Sequence, residues 1–216
     1  MIWGKNFGWV HIGRMGGYSV DQMFRLLQLS DVHLDPLGGD WSRWKRHQTV
    51  EQREAEARVG LQNGRARISN FRRLPTWILS FAEYKKKNEG LDFTTEDLTQ
   101  GLLKAEYREL ETGNLEETRK RNFHADSILE YYGVREMDYL MRTEYLPTDF
   151  IDVMSRWYSI PNETREQIHA VHENGNVYQR NLGLRFSADQ IRTMYASCPV
   201  WTALEKKVYG DLLVAL

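Results

Sequence analysis

Apolar residues recur along much of the chain at the spacing of a helix rather than at the alternation of a strand. Val20, Met23, Phe24 and Leu27 share one face of a predicted helix over 19–29, with Ser19 as its cap. Trp77, Ile78, Phe81 and Tyr84 do the same over 75–87, where Pro75 suits a first helical turn. Thr94-Thr95-Glu96-Asp97 opens a further helix lined by Leu98, Leu102, Ala105 and Leu110 and closed by Gly113-Asn114. Asn114 and Glu117 then start a helix that runs to Tyr132 and stops at Gly133. Phe150, Val153, Met154 and Trp157 line a helix over 149–159, and Pro161-Asn162 introduces one over 163–173. Ser187 and Gln190 form a capping box for a helix ending at Ser197, and Pro199 begins the last one. Segment 43–59 has high helix propensity but few apolar residues, which suits a solvent- or partner-facing helix.

Two segments resist this pattern. Residues 1–18 set Trp3, Phe7 and Trp9 among glycines that form no stable element of their own. Residues 26–34 read equally as a helix end or a strand, before the turn Pro-Leu-Gly-Gly-Asp at 36–40. The expected fold class is all-α: one multi-helix domain of short-loop helical hairpins over 19–216, with an extended aromatic arm over 1–18.

Composition narrows the class of protein. The 216 residues are 41% hydrophobic and 27% charged, which is ordinary for a globular chain. A formal charge of −1 argues against binding polyanions through bulk electrostatics. The single cysteine, Cys198, rules out an internal disulfide and suits a reducing compartment. No apolar run approaches the ~18 residues of a membrane span, and residues 1–17 lack the apolar core of a secretory signal. Charge is nonetheless segregated. Nine basic residues face three acidic ones over 43–73, and ten acidic face five basic over 83–117. Seven Trp and eleven Tyr add apolar area with a polar handle, the kind enriched at protein contacts.

Candidate chemistry is sparse. An apolar run, Leu26-Leu27-Gln28-Leu29, leads into Ser30-Asp31-Val32-His33-Leu34-Asp35-Pro36. This stretch resembles the first motif of the calcineurin-like metallophosphoesterases, which implies a strand delivering Asp31 and His33 to a two-metal centre. The family's later motifs have no counterpart: Asn122-Phe123-His124 is not Asn-His, and no Gly-His-x-His follows. His169 and His172 stand three apart, a spacing that shares a helix face, but no third metal ligand accompanies them. Cys198 before Pro199 would gain acidity at a helix start, yet no histidine is near it in sequence, and a packing role is expected. There is no P-loop, G-x-G-x-x-G, G-x-S-x-G or C-x-x-C pattern.

These features predict a non-catalytic accessory subunit of a large assembly, with no cofactor. The expected setting is intracellular, in a mitochondrial membrane complex such as ATP synthase or a respiratory complex. Partners would be other protein subunits, with peripheral lipid contact and no transmembrane helix. Trp3, Phe7, Trp9, Trp41, Trp44, Arg65, Arg67, Arg72 and Arg73 would form the protein interface. A divergent metallophosphoesterase using Asp31 and His33 is one alternative. An RNA-binding or ribosome-associated protein using the basic segment 43–73 is another, less expected because the total charge is balanced.

Overall fold

The computed structural model describes residues 1–34, 47–57, 64–108, 118–171 and 182–214. In chain order the elements are β1 (Ile2–Trp3), β2 (Phe7–Val10), α1 (Gly17–Leu27), β3 (His33–Leu34), α2 (Val50–Ala57), β4 (Ala66–Phe71), α3 (Leu74–Glu89), α4 (Thr95–Thr99), β5 (Leu102–Arg108), β6 (Thr118–His124), α5 (Ala125–Tyr131), β7 (Tyr139–Arg142), α6 (Leu146–Met154), α7 (Asn162–His169), α8 (Leu182–Arg185), α9 (Ala188–Ser197) and α10 (Pro199–Tyr209). The expected all-α class is therefore wrong. The fold is mixed α/β, with a five-stranded sheet in the order β3-β1-β2-β4-β7 and a separate β5-β6 pair.

The chain divides into two compact units. Unit 1 takes Met1–Arg72 and Glu130–Asn176, and unit 2 takes Arg73–Leu129 and Val177–Leu216.

Unit 1 holds the five-stranded sheet. β2 pairs antiparallel with β1 and parallel with β4, and β4 pairs parallel with β7. The expected N-terminal arm is instead the hairpin β1–β2. All four residues of β2 are buried, so this strand shows no alternation of polar and apolar positions. In the core Phe7 stacks on Phe24 with ring centroids 5.4 Å apart, and Phe150 meets Phe24 edge to face at 4.9 Å. The apolar stripe foreseen on α1 is real: Val20, Met23 and Phe24 are its buried face. Full burial of such side chains stabilises by ~1.5–3 kcal/mol each.

Unit 2 packs α3, α9 and α10 with the β5–β6 hairpin. Trp77 and Trp201 meet at a centroid separation of 4.4 Å. The capping box of Thr94 and Asp97 opens α4, but α4 lasts only to Thr99. Gly101 then adopts φ +68, and the chain turns into β5. Much of the expected helix ending at Tyr132 is strand β6, and only its last turns, in α5, are helical. The expected helix over 163–173 also stops early, since α7 ends at His169. Other signals match closely. Gly133 adopts φ +58, Ser187 and Gln190 form their capping box, and Pro199 opens α10.

Candidate anion site at the end of strand β2

β2 leads through residues 11–16 into α1. The chain leaving β2 passes through α1 to β3, on the β1 side of the sheet, whereas β4 is followed in the sheet by β7 on the other side. The C-terminal ends of β2 and β4 thus form the point where the topology reverses. In open parallel sheets that is where ligands bind.

The loop is held in an unusual shape. Arg14 adopts φ 66, a conformation that costs a non-glycine residue energy, and Gly16 adopts φ 81. Nearly every carbonyl along the loop is turned towards a donor. Ser69 Oγ donates to the Val10 carbonyl at 3.0 Å, and His47 Nδ1 lies 3.2 Å from that of His11. Arg72 Nη1 donates to the Arg14 carbonyl at 3.2 Å. Asn70 Nδ2 donates to the Met15 carbonyl at 2.6 Å, and Thr143 Oγ1 lies 3.2 Å from the same oxygen. Asn70 is itself oriented by Trp9 Nε1, which donates to its Oδ1 at 3.0 Å. Ser69, Asn70 and Arg72 are buried polar residues of β4 and its end, and the loop gives them their partners.

Fixing the carbonyls this way fixes the peptide planes of the loop, and Met15 N–H is bound back to the Ile12 carbonyl at 3.3 Å. The first-turn N–H groups of α1 have no partner within the helix itself. The N-cap residue, Gly16, has no side chain with which to cap them. The contrast with α10 is instructive. Pro199 has no N–H, and the next two donors, Val200 N and Trp201 N, both reach Asp126 at 3.0 and 2.8 Å. At α1 the cap position is a glycine, and no carboxylate follows in its first turn. Gly17 allows a close approach here, since a Cβ would overlap the His11 ring. That ring also lies against His47, with centroids 4.4 Å apart.

A second cluster has donors of the metal-binding kind. His124, Asp126 and Cys198, all in unit 2, place one ligand atom each within 4.8 Å of one another. The residues do not fit a metal ion. Both Asp126 oxygens accept from the start of α10. His124 Nδ1 accepts from Asp126 N at 3.2 Å, which leaves the ring proton on Nε2, 3.8 Å from Cys198 Sγ. A Cβ on Gly101 would sit 2.5 Å from that sulfur, so the glycine backbone closes the space a fourth ligand would need. Burial, and then the nearby Asp126 charge, push the Cys198 thiol up to about 12. This is the reverse of the acidification foreseen for a cysteine at a helix start. The histidine missing from its sequence neighbourhood is His124, brought in by the β5–β6 hairpin.

The residues singled out in the sequence take separate positions. Trp3 stacks on His33 at 4.0 Å, with the Arg53 guanidinium 5.0 Å from its ring. Phe7 and Trp9 are core residues. Trp41, Trp44, Asp35 and His172 lie outside the described residues. Arg65 donates to the Lys5 carbonyl, Arg67 pairs with Glu136, and Arg73 pairs with Glu205 and Asp211. Asp31 accepts from Tyr158 Oη at 2.9 Å, while His33 turns to Trp3. The β2–α1 loop carries no motif in its sequence, because Gly13-Arg14-Met15-Gly16-Gly17 does not match the spacing G-x-x-x-x-G-K-[ST]. The usable signal was a Trp-Val pair ahead of three glycines and an amphipathic helix.

No protein-family model, curated protein or solved structure matches this chain. No described helix is long and apolar enough to cross a membrane.

Proposed function

We propose that the protein binds a phosphorylated ligand of the nucleotide class at the β2–α1 loop and is a transferase for the tetrahedral oxyanion group, phosphoryl or sulfuryl, that such a ligand carries. One observation carries this reading: a helix N-terminus with glycine at its cap position follows a loop whose carbonyls are tied back by side chains from β4 and the end of β7. A helix start of this kind favours an anion through its N–H groups and its dipole together. The topological switch supports the same location. Catalysis, rather than binding alone, is supported by His11. Its imidazole lies over Gly17, beside the expected anion, where it can exchange a proton with an acceptor group.

The test exploits Tyr18, an exposed residue of the first turn of α1. Tyr18→Asp places a carboxylate where the helix dipole welcomes it, so the fold survives, but it competes with any bound anion. Calorimetric titration with inorganic phosphate, sulfate, ATP, ADP and adenosine 3′,5′-bisphosphate should show binding to the native protein and a loss of at least ten-fold in Tyr18→Asp. Absence of binding to the native protein, or equal binding by both, overturns the site. Release of the donor group to an acceptor, followed by mass spectrometry, then separates a transferase from a binding protein.

A further inference from the structure

We infer that residues 210–214 form a strap that docks on unit 2 and releases from it as one piece, while α10 stays folded. The strap begins where α10 ends. Gly210 closes the helix at φ +83, and its N–H donates to the Lys206 carbonyl at 2.9 Å. A left-handed glycine at this position turns the chain away from the helix axis. Of residues 211–214 none is buried: Asp211 and Val214 are exposed, and Leu212 and Leu213 are half-buried. Apolar burial therefore contributes little to holding the segment, and segments of that kind are the first to open in a native protein.

Polar contacts hold it instead, and they converge. Arg73 Nη2 donates to the Asp211 carboxylate at 2.6 Å, and Arg73 Nη1 donates to the Asp211 carbonyl at 3.3 Å. Two residues on, Leu213 N–H donates to Tyr195 Oη at 3.0 Å. Among the described residues, these are the hydrogen bonds that tie residues 211–214 to the rest of unit 2. Arg73 stands at the start of α3 and Tyr195 in α9, yet one atom holds both. Glu205 Oε1 accepts from Arg73 Nη1 at 3.2 Å and from Tyr195 Oη at 2.7 Å. Glu205 is fully buried, and its Oε2 accepts from Leu74 N at 2.7 Å.

This shared support makes release cooperative. The Tyr195 proton is committed to Glu205, which leaves Oη as the acceptor for Leu213 N–H. Arg73 is held by Glu205 and lies over the Tyr209 ring, its guanidinium carbon 4.3 Å from the centroid. Both docking groups are thus in place before the strap arrives, and docking costs only the order of the strap itself. Once the Asp211 tie breaks, one neutral hydrogen bond is left against the entropy of the free segment. Release then frees Nη2 of Arg73 and a lone pair of Tyr195, while both side chains stay bound to Glu205.

The experiment is amide hydrogen exchange of the full chain, read residue by residue by NMR and corrected for intrinsic rates. In native protein Leu213 N–H should exchange at least about ten-fold faster than Leu204 and Glu205 N–H within α10. Asp211→Asn removes the charge from one tie and leaves Leu213 and Tyr195 unaltered. Exchange at Leu213 should rise about three- to five-fold, the scale of an ion pair with one exposed partner, with Leu204 and Glu205 unchanged. A Cβ on Gly210 would have no neighbour within 4 Å, so Gly210→Ala acts only through its positive φ. It should speed Leu213 exchange by about ten-fold. Sodium chloride at about 1 M should speed Leu213 exchange in native protein and not in Asp211→Asn. Leu213 exchanging no faster than Glu205 in native protein overturns the strap, because the segment then opens only with its helix. Leu213 exchange unchanged in Asp211→Asn, or an equal salt response of both proteins, overturns release as one piece.

Discussion

Arg72 donates its Nη1 proton to the main-chain carbonyl of Arg14 at 3.2 Å, and it does so from a position only 4% exposed. A buried guanidinium thereby holds the carbonyl of a loop residue in left-handed conformation. Hydrogen bonds from charged donors contribute ~1.5–3 kcal/mol. Arg72→Met should lower stability by about 2 kcal/mol in urea denaturation on that basis. It should also weaken phosphate binding, because the Arg14 peptide is free to rotate. Unchanged phosphate affinity in a folded Arg72→Met protein would show that the loop shape does not depend on this bond.

Asp126 serves the opposite end of the argument over helix starts, since it satisfies both available first-turn donors of α10. Asp126→Ala leaves Val200 N and Trp201 N without acceptors and removes a favourable charge from the helix dipole. Loss of a cap typically costs ~0.5–2 kcal/mol, and the dipole adds ~0.3–1. Chemical denaturation should show a loss of about 2 kcal/mol from these two effects. Asp126→Asn, which keeps one carbonyl oxygen, should lose less. Two variants of equal stability to the native protein would mean that water replaces the carboxylate without cost.

Cys198 carries a pH signature. Its thiol is raised to about 12, so in the folded protein it stays protonated through the range where an unfolded thiol, near ~8.5, ionises. The folded state then binds more protons than the unfolded state. The stability this confers is complete below the unfolded value and is lost as pH rises towards 12. The slope reaches at most about 1.4 kcal/mol per pH unit. Urea denaturation of native protein between pH 8 and pH 10.5 should fall more steeply than that of Cys198→Ala. Parallel pH profiles would refute the raised thiol. Thiol reagents should also react with the native protein far more slowly at pH 8 than with the unfolded chain.

Most helices were legible in the sequence because their cues are local. Pro75, Gly133, Pro199 and the Ser187–Gln190 box each act within a turn of where they stand. The strands of the main sheet were not, for a physical reason. Phe7–Val10 is buried on both faces and so gives no alternation, while Tyr139–Arg142 is too short to show a period. β4 was hidden by its polar residues. Ser69 and Asn70 look like loop residues until their partners, the carbonyls of Val10 and Met15, arrive from some 55 to 60 positions away. The candidate site was illegible for the same reason, since its shape is set by β4 and the end of β7 rather than by the loop's own residues.

The two-unit division gives the chain an alternating order. Unit 1 needs residues 1–72 and 130–176, and unit 2 needs 73–129 and 177–216. No single cut releases either unit whole. Residues 1–72 carry β2 and β4, but during synthesis β7 follows only after the first half of unit 2 has passed. Thr143, which helps to shape the β2–α1 loop, arrives with it. The loop therefore reaches its final form late, although it is made well before β7. Closing that long excursion carries an entropic cost and makes the pairing of β7 with β4 a slow, long-range event. A ribosome stalled before residue 139 would hold a chain whose sheet lacks an edge and whose glycine loop lacks one of its anchors.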